Sequence, residues 1–209
     1  MNEQGNGEIL DGMPDSETEL QKLTAELART NAVFEALRKS SKHIHEFQSF
    51  EECAKNLFYT CSQLLGSTAG YVALLSDDGK ENEVLFLEAG GRTCTVPHEY
   101  PMPIRGLRAE SYQHNKVVYD NDFMNSPWVE LMPNGHVSLD NVLFAPLVIE
   151  NKTVGIIGLA NKPGDFTEED AELAMIFGDL AAVALRNSRM LENICAGQVR
   201  EKKLRHEAE

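Results

Sequence analysis

The sequence predicts an α+β fold: a mainly antiparallel sheet with long helices towards both ends of the chain. Three observations lead there. Near both termini apolar residues recur at alternating spacings of three and four, the period of one face of a helix. Between those regions the pattern changes to short runs rich in Val, Ile, Leu and Tyr, which read as strands. The segments joining these runs are short and contain Gly, Asn or Asp, so neighbouring strands pair as hairpins rather than through helical crossovers.

Taken in order, residues 1–16 carry only acidic charges among several glycines and little apolar content, and are expected to be a disordered tail. Residues 17–47 form an N-terminal signalling or dimerisation helix. Its seam is Leu20, Leu23, Leu27, Thr30, Phe34, Leu37, Ser41 and Ile44, the stripe of a coiled coil weakened by two polar members. A second helix starts after Ser49, with Glu52 three residues on, and stops near Gly66. It carries Cys53, Leu57, Phe58, Cys61, Leu64 and Leu65.

Strands follow at "YVALLS", "EVLFLEA" and "RTCTV", joined by "DDGKEN" and "GG". After the proline-broken "PHEYPMPIRG" come a short helix in "GLRAESYQHN", a strand in "KVVYDND" and an irregular stretch to Asp140. "NVLFAPLVIE" and "TVGIIGLANK" are the last strands, with an Asn151-Lys152 turn between them, making about six. Pro146 inside the first of this pair marks an edge or a bulge.

Thr167 then opens a long helix, with Asp170 three residues later, a pattern near to a capping box. The helix has the seam Leu173, Ile176, Leu180, Val183, Asn187, Met190 and Ile194, widened by Phe177, Ala184 and Leu191. Gly197 is expected to interrupt it, leaving residues 195–209 as a charged helical linker or tail. The domain proper is thus 48–194.

Composition narrows the function. Nineteen basic against thirty-three acidic residues give a net charge of −14, which repels nucleic acid backbones and anionic membranes. No apolar run is long enough to span a bilayer, and the N-terminus has no basic start or apolar core, so a cytoplasmic location is expected. The four cysteines form no C-x-x-C pair and have no His at zinc spacing, so no metal site is expected.

The stretch "NVLFAPLVIENKTVGIIGLANKPGDFTEEDAELAMIFGDLAAVAL" carries a resemblance. An apolar strand ends in Pro146-Leu147, a tight turn follows, then Gly-apolar-apolar-Gly at Gly155 to Gly158, then Phe166-Thr167-Glu168-Glu169-Asp170 opening a helix. From about Phe50 to Asn187 the chain resembles the GAF domain family, the small-molecule sensing module of signalling proteins. Cyclic-nucleotide-binding members carry Asn-Lys, a spacer, Phe, three residues and Asp-Glu. This chain has Asn161, Lys162, Phe166 and Asp170 but Ala171 in the last place, a departure from that pattern. These four residues are read as a structural clamp, with Lys162 pairing Asp170 to hold strand to helix.

The resemblance implies terminal helices on one face of the sheet and, on the other, a ligand pocket under the loop-rich middle. Candidate pocket residues are Cys94, His98, Met102, Tyr112, Asp120, Trp128, His136 and Asn141, a mixture of aromatic walls and polar anchors suited to a small ligand. Some members bind haem, so Cys94 or a nearby His could sense haem or redox state. One member reduces free methionine sulfoxide, which needs an attacking and a resolving thiol. Cys94 stands alone on its segment, and no catalytic motif occurs, so no enzyme is expected. The expected protein is a homodimeric sensor, paired through Leu20, Leu23, Leu27, Phe34, Leu37, Ile176, Leu180, Val183 and Asn187. It would act on a signalling output such as a histidine kinase. The alternatives are a haem or redox sensor and a ligand-free dimerising scaffold.

Overall fold

A computed structural model describes residues 16–43, 49–97 and 100–207. The expected acidic tail and the end of the first helical segment lie outside the described residues. Two compact units make up the chain, one ending at Lys39 and the other beginning at Ser40. The first holds all but the last four residues of α1 (Ser16–His43), on which Leu20, Leu23, Leu27 and Phe34 are exposed and Leu37 is half-buried.

The second unit starts its regular structure with α2 (Phe50–Leu65). Ser49 caps it by accepting a hydrogen bond from the Glu52 N–H at 3.3 Å, and Gly66 ends it in the left-handed region at φ 75°. The strands are β1 (Ala69–Leu75), β2 (Asn82–Glu88), β3 (Val118–Asp120), β4 (Val142–Ile149) and β5 (Lys152–Ala160). They form one sheet in the order β2-β1-β5-β4-β3, with every neighbouring pair antiparallel. α3 (Leu107–His114) precedes β3, two short 3-10 turns at Phe123–Asn125 and Pro127–Leu131 follow it, and α4 (Glu168–Glu207) closes the chain.

The sheet therefore has five strands where six were expected. The missing one is "RTCTV": after the turn at Gly90 and Gly91 the chain leaves the sheet. Arg92 donates to the Ser138 carbonyl at 2.9 Å and pairs with Asp140, and the Thr95 N–H donates to the Gly135 carbonyl at 2.9 Å. The segment is thus tied to the middle loop instead of pairing with β2.

Two further details differ from expectation. The β4–β5 hairpin turns on Glu150 and Asn151, with φ 50° and 60°, while Lys152 is already paired with Ile149. Positive φ at both central residues is the geometry of a two-residue hairpin whose twist suits the strands. Gly197 does not interrupt α4, which runs through it to Glu207.

Pro146 stands in an interior strand without cost, for a local reason. β3 pairs with β4 only from Val142 to Phe144, so beyond Phe144 that side of β4 has no partner needing an N–H. A register shift between Leu147 and Val148 follows at once.

The two faces of the sheet do different work. On one, Val72, Leu143, Ala145, Leu147, Ile157 and Leu159 are at most 1% exposed, and α2 and α4 cover them. α4 lies very close: a Cβ at Gly178 would come 2.4 Å from the Pro146 carbonyl oxygen, so only glycine fits there. On the other face Ala69, Ala73, Val142, Phe144, Ile156 and Ala160 build a second core with Phe123. α3 and the middle segment pack over it.

Candidate functional site

A cavity of about 130 Å³ lies within this second layer. Its floor is the sheet, through Ala69, Tyr71, Phe144, Gly158 and Ala160. Its cover is the middle segment, through Cys94, Met102, Leu131, Met132, His136 and Leu139. Gly158 makes the floor possible. It is the register partner of both Tyr71 and Phe144, and with no side chain of its own it leaves room for the Tyr71 ring.

The cover is anchored by backbone. The Asn82 N–H donates to the Met102 carbonyl and the Ile104 N–H to the Lys80 carbonyl, both at 2.8 Å, which lays Met102–Ile104 beside the start of β2. Arg105 donates to the Leu131 carbonyl at 2.8 Å. Gly135, at φ 85°, fits tightly under Thr95.

Polar groups on the cavity wall are few. His136 donates from Nδ1 to the Val137 carbonyl at 2.8 Å, which leaves Nε2 bare. Glu88 Oε1 accepts from the Gly90 N–H at 3.0 Å. Arg108, one residue into α3, reaches the cavity half-buried, and its Nη1 is fully sheltered with no hydrogen-bond partner. The Tyr71 hydroxyl is likewise sheltered, beside that guanidinium. Burial pushes the ionisation of this phenol up, and the neighbouring Arg108 charge works the other way.

Of the residues singled out in the sequence, Cys94, Met102 and His136 come together on this cavity. Tyr112 and Trp128 do not line it and instead pack on the core cluster beside it. The Tyr112 hydroxyl donates to Asn82 Oδ1 at 2.6 Å, and burial pushes its ionisation far up. Asp120 sits at the end of β3, where its Oδ1 accepts from the Asp122 N–H at 2.9 Å. His98 lies outside the described residues.

Asn141 belongs elsewhere. Its Oδ1 accepts from the Lys162 N–H at 2.9 Å, and its Nδ2 donates to the carbonyls of Lys162 and Gly164. It thus stands with Asn161, Lys162, Phe166 and Asp170 at the passage from β5 to α4. Asn161, at φ 57°, accepts from the Asp140 N–H at 2.8 Å and donates to the Ser138 carbonyl. Asn121 makes a second reciprocal pair, with the backbone N–H and carbonyl of Phe166.

Lys162 Nζ pairs with Asp170 Oδ2, the carboxylate being 2% exposed. The same oxygen accepts from the Thr167 N–H at 2.9 Å, and Thr167 Oγ1 accepts from the Asp170 N–H at 3.3 Å. That is a complete capping box with a cation added to it.

Arg108, Tyr71 and Asn121 were missed in the sequence. Tyr71 had a signal: it alternates with Ala69 and Ala73 along β1, so all three share one face. For Arg108 and Asn121, no local pattern separates them from ordinary surface residues.

On α4 the seam residues Ile176, Val183, Met190 and Ile194 are exposed, while Leu180 and Asn187 are half-buried. Ala174, Phe177, Ala181 and Leu185 face inward instead. No helix is long and apolar enough to cross a membrane among the described residues, and no cluster of three or more His, Cys, Asp or Glu residues is found there.

Comparison with known proteins agrees with this architecture. The family model of the GAF domain matches residues 48–186. Three solved structures are similar in fold. The GAF domain of an Acinetobacter phosphoenolpyruvate-protein phosphotransferase is 14% identical, with a TM-score of 0.63 over 75% of this chain and 94% of its own. The free methionine-R-sulfoxide reductase of Neisseria meningitidis, solved with its substrate, is 15% identical, with a TM-score of 0.63 over 76% and 91%. The GAF domain of a candidate sensor histidine kinase from Pseudomonas syringae pv. tomato is 16% identical, with a TM-score of 0.54 over 85% and 98%. No curated protein matches the sequence.

Proposed function

The chain belongs to the GAF domain family, and from that premise we propose that it is a ligand-binding sensor that relays its state through paired helices to a signalling output. The cavity carries this reading. It is roofed by a separate segment, and its wall is mostly apolar with a few polar groups, which suits a small molecule. The output is a protein such as a histidine kinase, as in the Pseudomonas neighbour.

The relay runs from the cavity floor to α4. Lys162 and Asp170 tie the end of β5 to the first turn of α4, and Asn141 and Asn121 fix the chain between them. The exposed apolar stripe on α4 serves a homodimer, to which α1 adds its own seam of Leu20, Leu23, Leu27, Phe34 and Leu37. A ligand moves this assembly only through unequal affinity for two arrangements of it.

Catalysis is not part of the proposal. Cys53 and Cys61 are buried in α2 on the helical side of the sheet, and Cys94 is the only cysteine on the cavity wall. A reductase would need a second thiol within reach of the first. Haem does not fit either, since a cavity this small is comparable to one that holds benzene and cannot hold a tetrapyrrole.

Native mass spectrometry of protein taken from its own cells tests the reading, alongside thermal shifts across a metabolite panel. A bound compound or a stabilising one is expected, because a ligand specific for the folded state raises stability by mass action. Bare protein that no compound stabilises would favour the dimerising scaffold, which the exposed α4 stripe alone would also support.

A further inference from the structure

The cavity wall holds a positive charge that no carboxylate among the described residues pairs with directly. Arg108 has no ion-pair partner among the described residues, although its Nη1 is fully sheltered from solvent; the polar group beside it is the Tyr71 hydroxyl. A guanidinium does not lose its proton in a protein, so the charge cannot be shed. A sheltered charge without a partner is costly. The adjacent Tyr71 hydroxyl is sheltered too, and the group it interacts with is that guanidinium. The Tyr71 oxygen can accept from the guanidinium, but no carboxylate among the described residues pairs with Arg108, and the hydroxyl proton has no acceptor.

We propose that the cavity binds a small monocarboxylate, its carboxylate held by Arg108 and the Tyr71 hydroxyl and its apolar body against Leu87, Phe123, Met132 and Phe144. This assignment rests on the reading of the cavity as a ligand site. A carboxylate matches the fork of a guanidinium and accepts from a hydroxyl besides. The volume of about 130 Å³ limits the body to the scale of a single ring or a short aliphatic chain. Glu88 on the same wall brings a negative charge, which disfavours phosphate or a dicarboxylate relative to a single carboxylate.

The experiment titrates the full chain at neutral pH with benzoate, butyrate, the neutral isostere benzamide, and inorganic phosphate, by calorimetry and thermal shift. Benzoate or butyrate is expected to bind and to raise the melting temperature. Arg108→Gln should weaken that binding at least about tenfold, Arg108→Lys should weaken it less, and Tyr71→Phe should give a smaller loss. Without ligand, Arg108→Gln should melt no lower than the native chain, since it removes an unpaired charge. A lower melting point would mean that Arg108 serves the fold, and would overturn the assignment.

The failures are distinguishable. Benzamide binding as tightly as benzoate, or benzoate binding unaffected by Arg108→Gln, leaves a ligand site but overturns the carboxylate. Preference for phosphate does the same. If none of the probes binds, the carboxylate assignment falls; if a compound carried from the cells is nevertheless seen by native mass spectrometry, the ligand site stands without it.

Discussion

Tyr71 lies across Gly158 on the neighbouring strand, so close that a methyl group on the glycine would come 2.7 Å from the ring. The ring thereby occupies the place where β5 would otherwise raise a side chain. It is held on its far side by Phe144, 6.3 Å away between ring centres.

Gly158→Ala should therefore cost about 1–3 kcal/mol of stability, as overpacking of a filled layer does. Urea unfolding measures it. Gly197→Ala, with nothing within 4 Å of the added methyl, is the control and should gain about 0.5–1 kcal/mol within the helix. Equal stability of Gly158→Ala and the native chain would show that the ring has room to lift.

Lys162→Met should cost about 3–5 kcal/mol, because it leaves a carboxylate that is 2% exposed without its cation. Asp170→Asn should cost less: the amide oxygen still accepts from the Thr167 N–H, and Lys162, at 17% exposed, can turn to water. The double variant should lose less than the two added together. Strict additivity in that cycle would mean the pair is not coupled.

Burial pushes the Cys53 thiol up to about 11, and pushes Cys61 higher still with help from the Asp170 charge. Both stay protonated in the fold at neutral pH. Native protein at pH 8 should thus alkylate only at Cys94 and Cys195, the exposed pair, and at all four cysteines once unfolded. The sign for stability follows. Below about pH 9 these thiols are protonated in folded and unfolded chains alike, so they make no difference. As pH rises from about 9 towards 11 only the unfolded chain releases their protons, and stability falls. Rapid native labelling of Cys53 would contradict this.

Sedimentation of the full chain should give a dimer. Val183→Glu with Met190→Glu should shift it to monomer without changing the melting temperature of dilute protein much, since both side chains are exposed, at 43% and 63%. Removing residues 1–40 should weaken the dimer further. A full-length chain that sediments as a monomer at every concentration would remove the helix-pair relay.

Much of the architecture was legible because it is written in local chemistry. Ser49 and Gly66 bound α2, Thr167 with Asp170 starts α4, and the apolar alternation of β4 and β5 sets their faces. What escaped was decided at a distance. "RTCTV" alternates like a strand, but Arg92 finds its partners 46 and 48 residues away, and they draw it off the sheet. Asn141 and Asn121 look like loop polar groups; each bonds backbone 21 and 45 residues on, respectively. Within the cavity, the sequence favoured large aromatics such as Trp128 and Tyr112, while its unbalanced charge came from an arginine in an unremarkable helix.

Gly178 meets the Pro146 carbonyl backbone to backbone, with no side chain between them to change rotamer. Two residues earlier on the same strand, Phe144 borders the cavity from the opposite side. In the proposed relay, a push on β4 would pass directly to the forty-residue helix behind it. Coupling of that kind would turn a small displacement at the pivot into a larger sweep at the rod's distant tip.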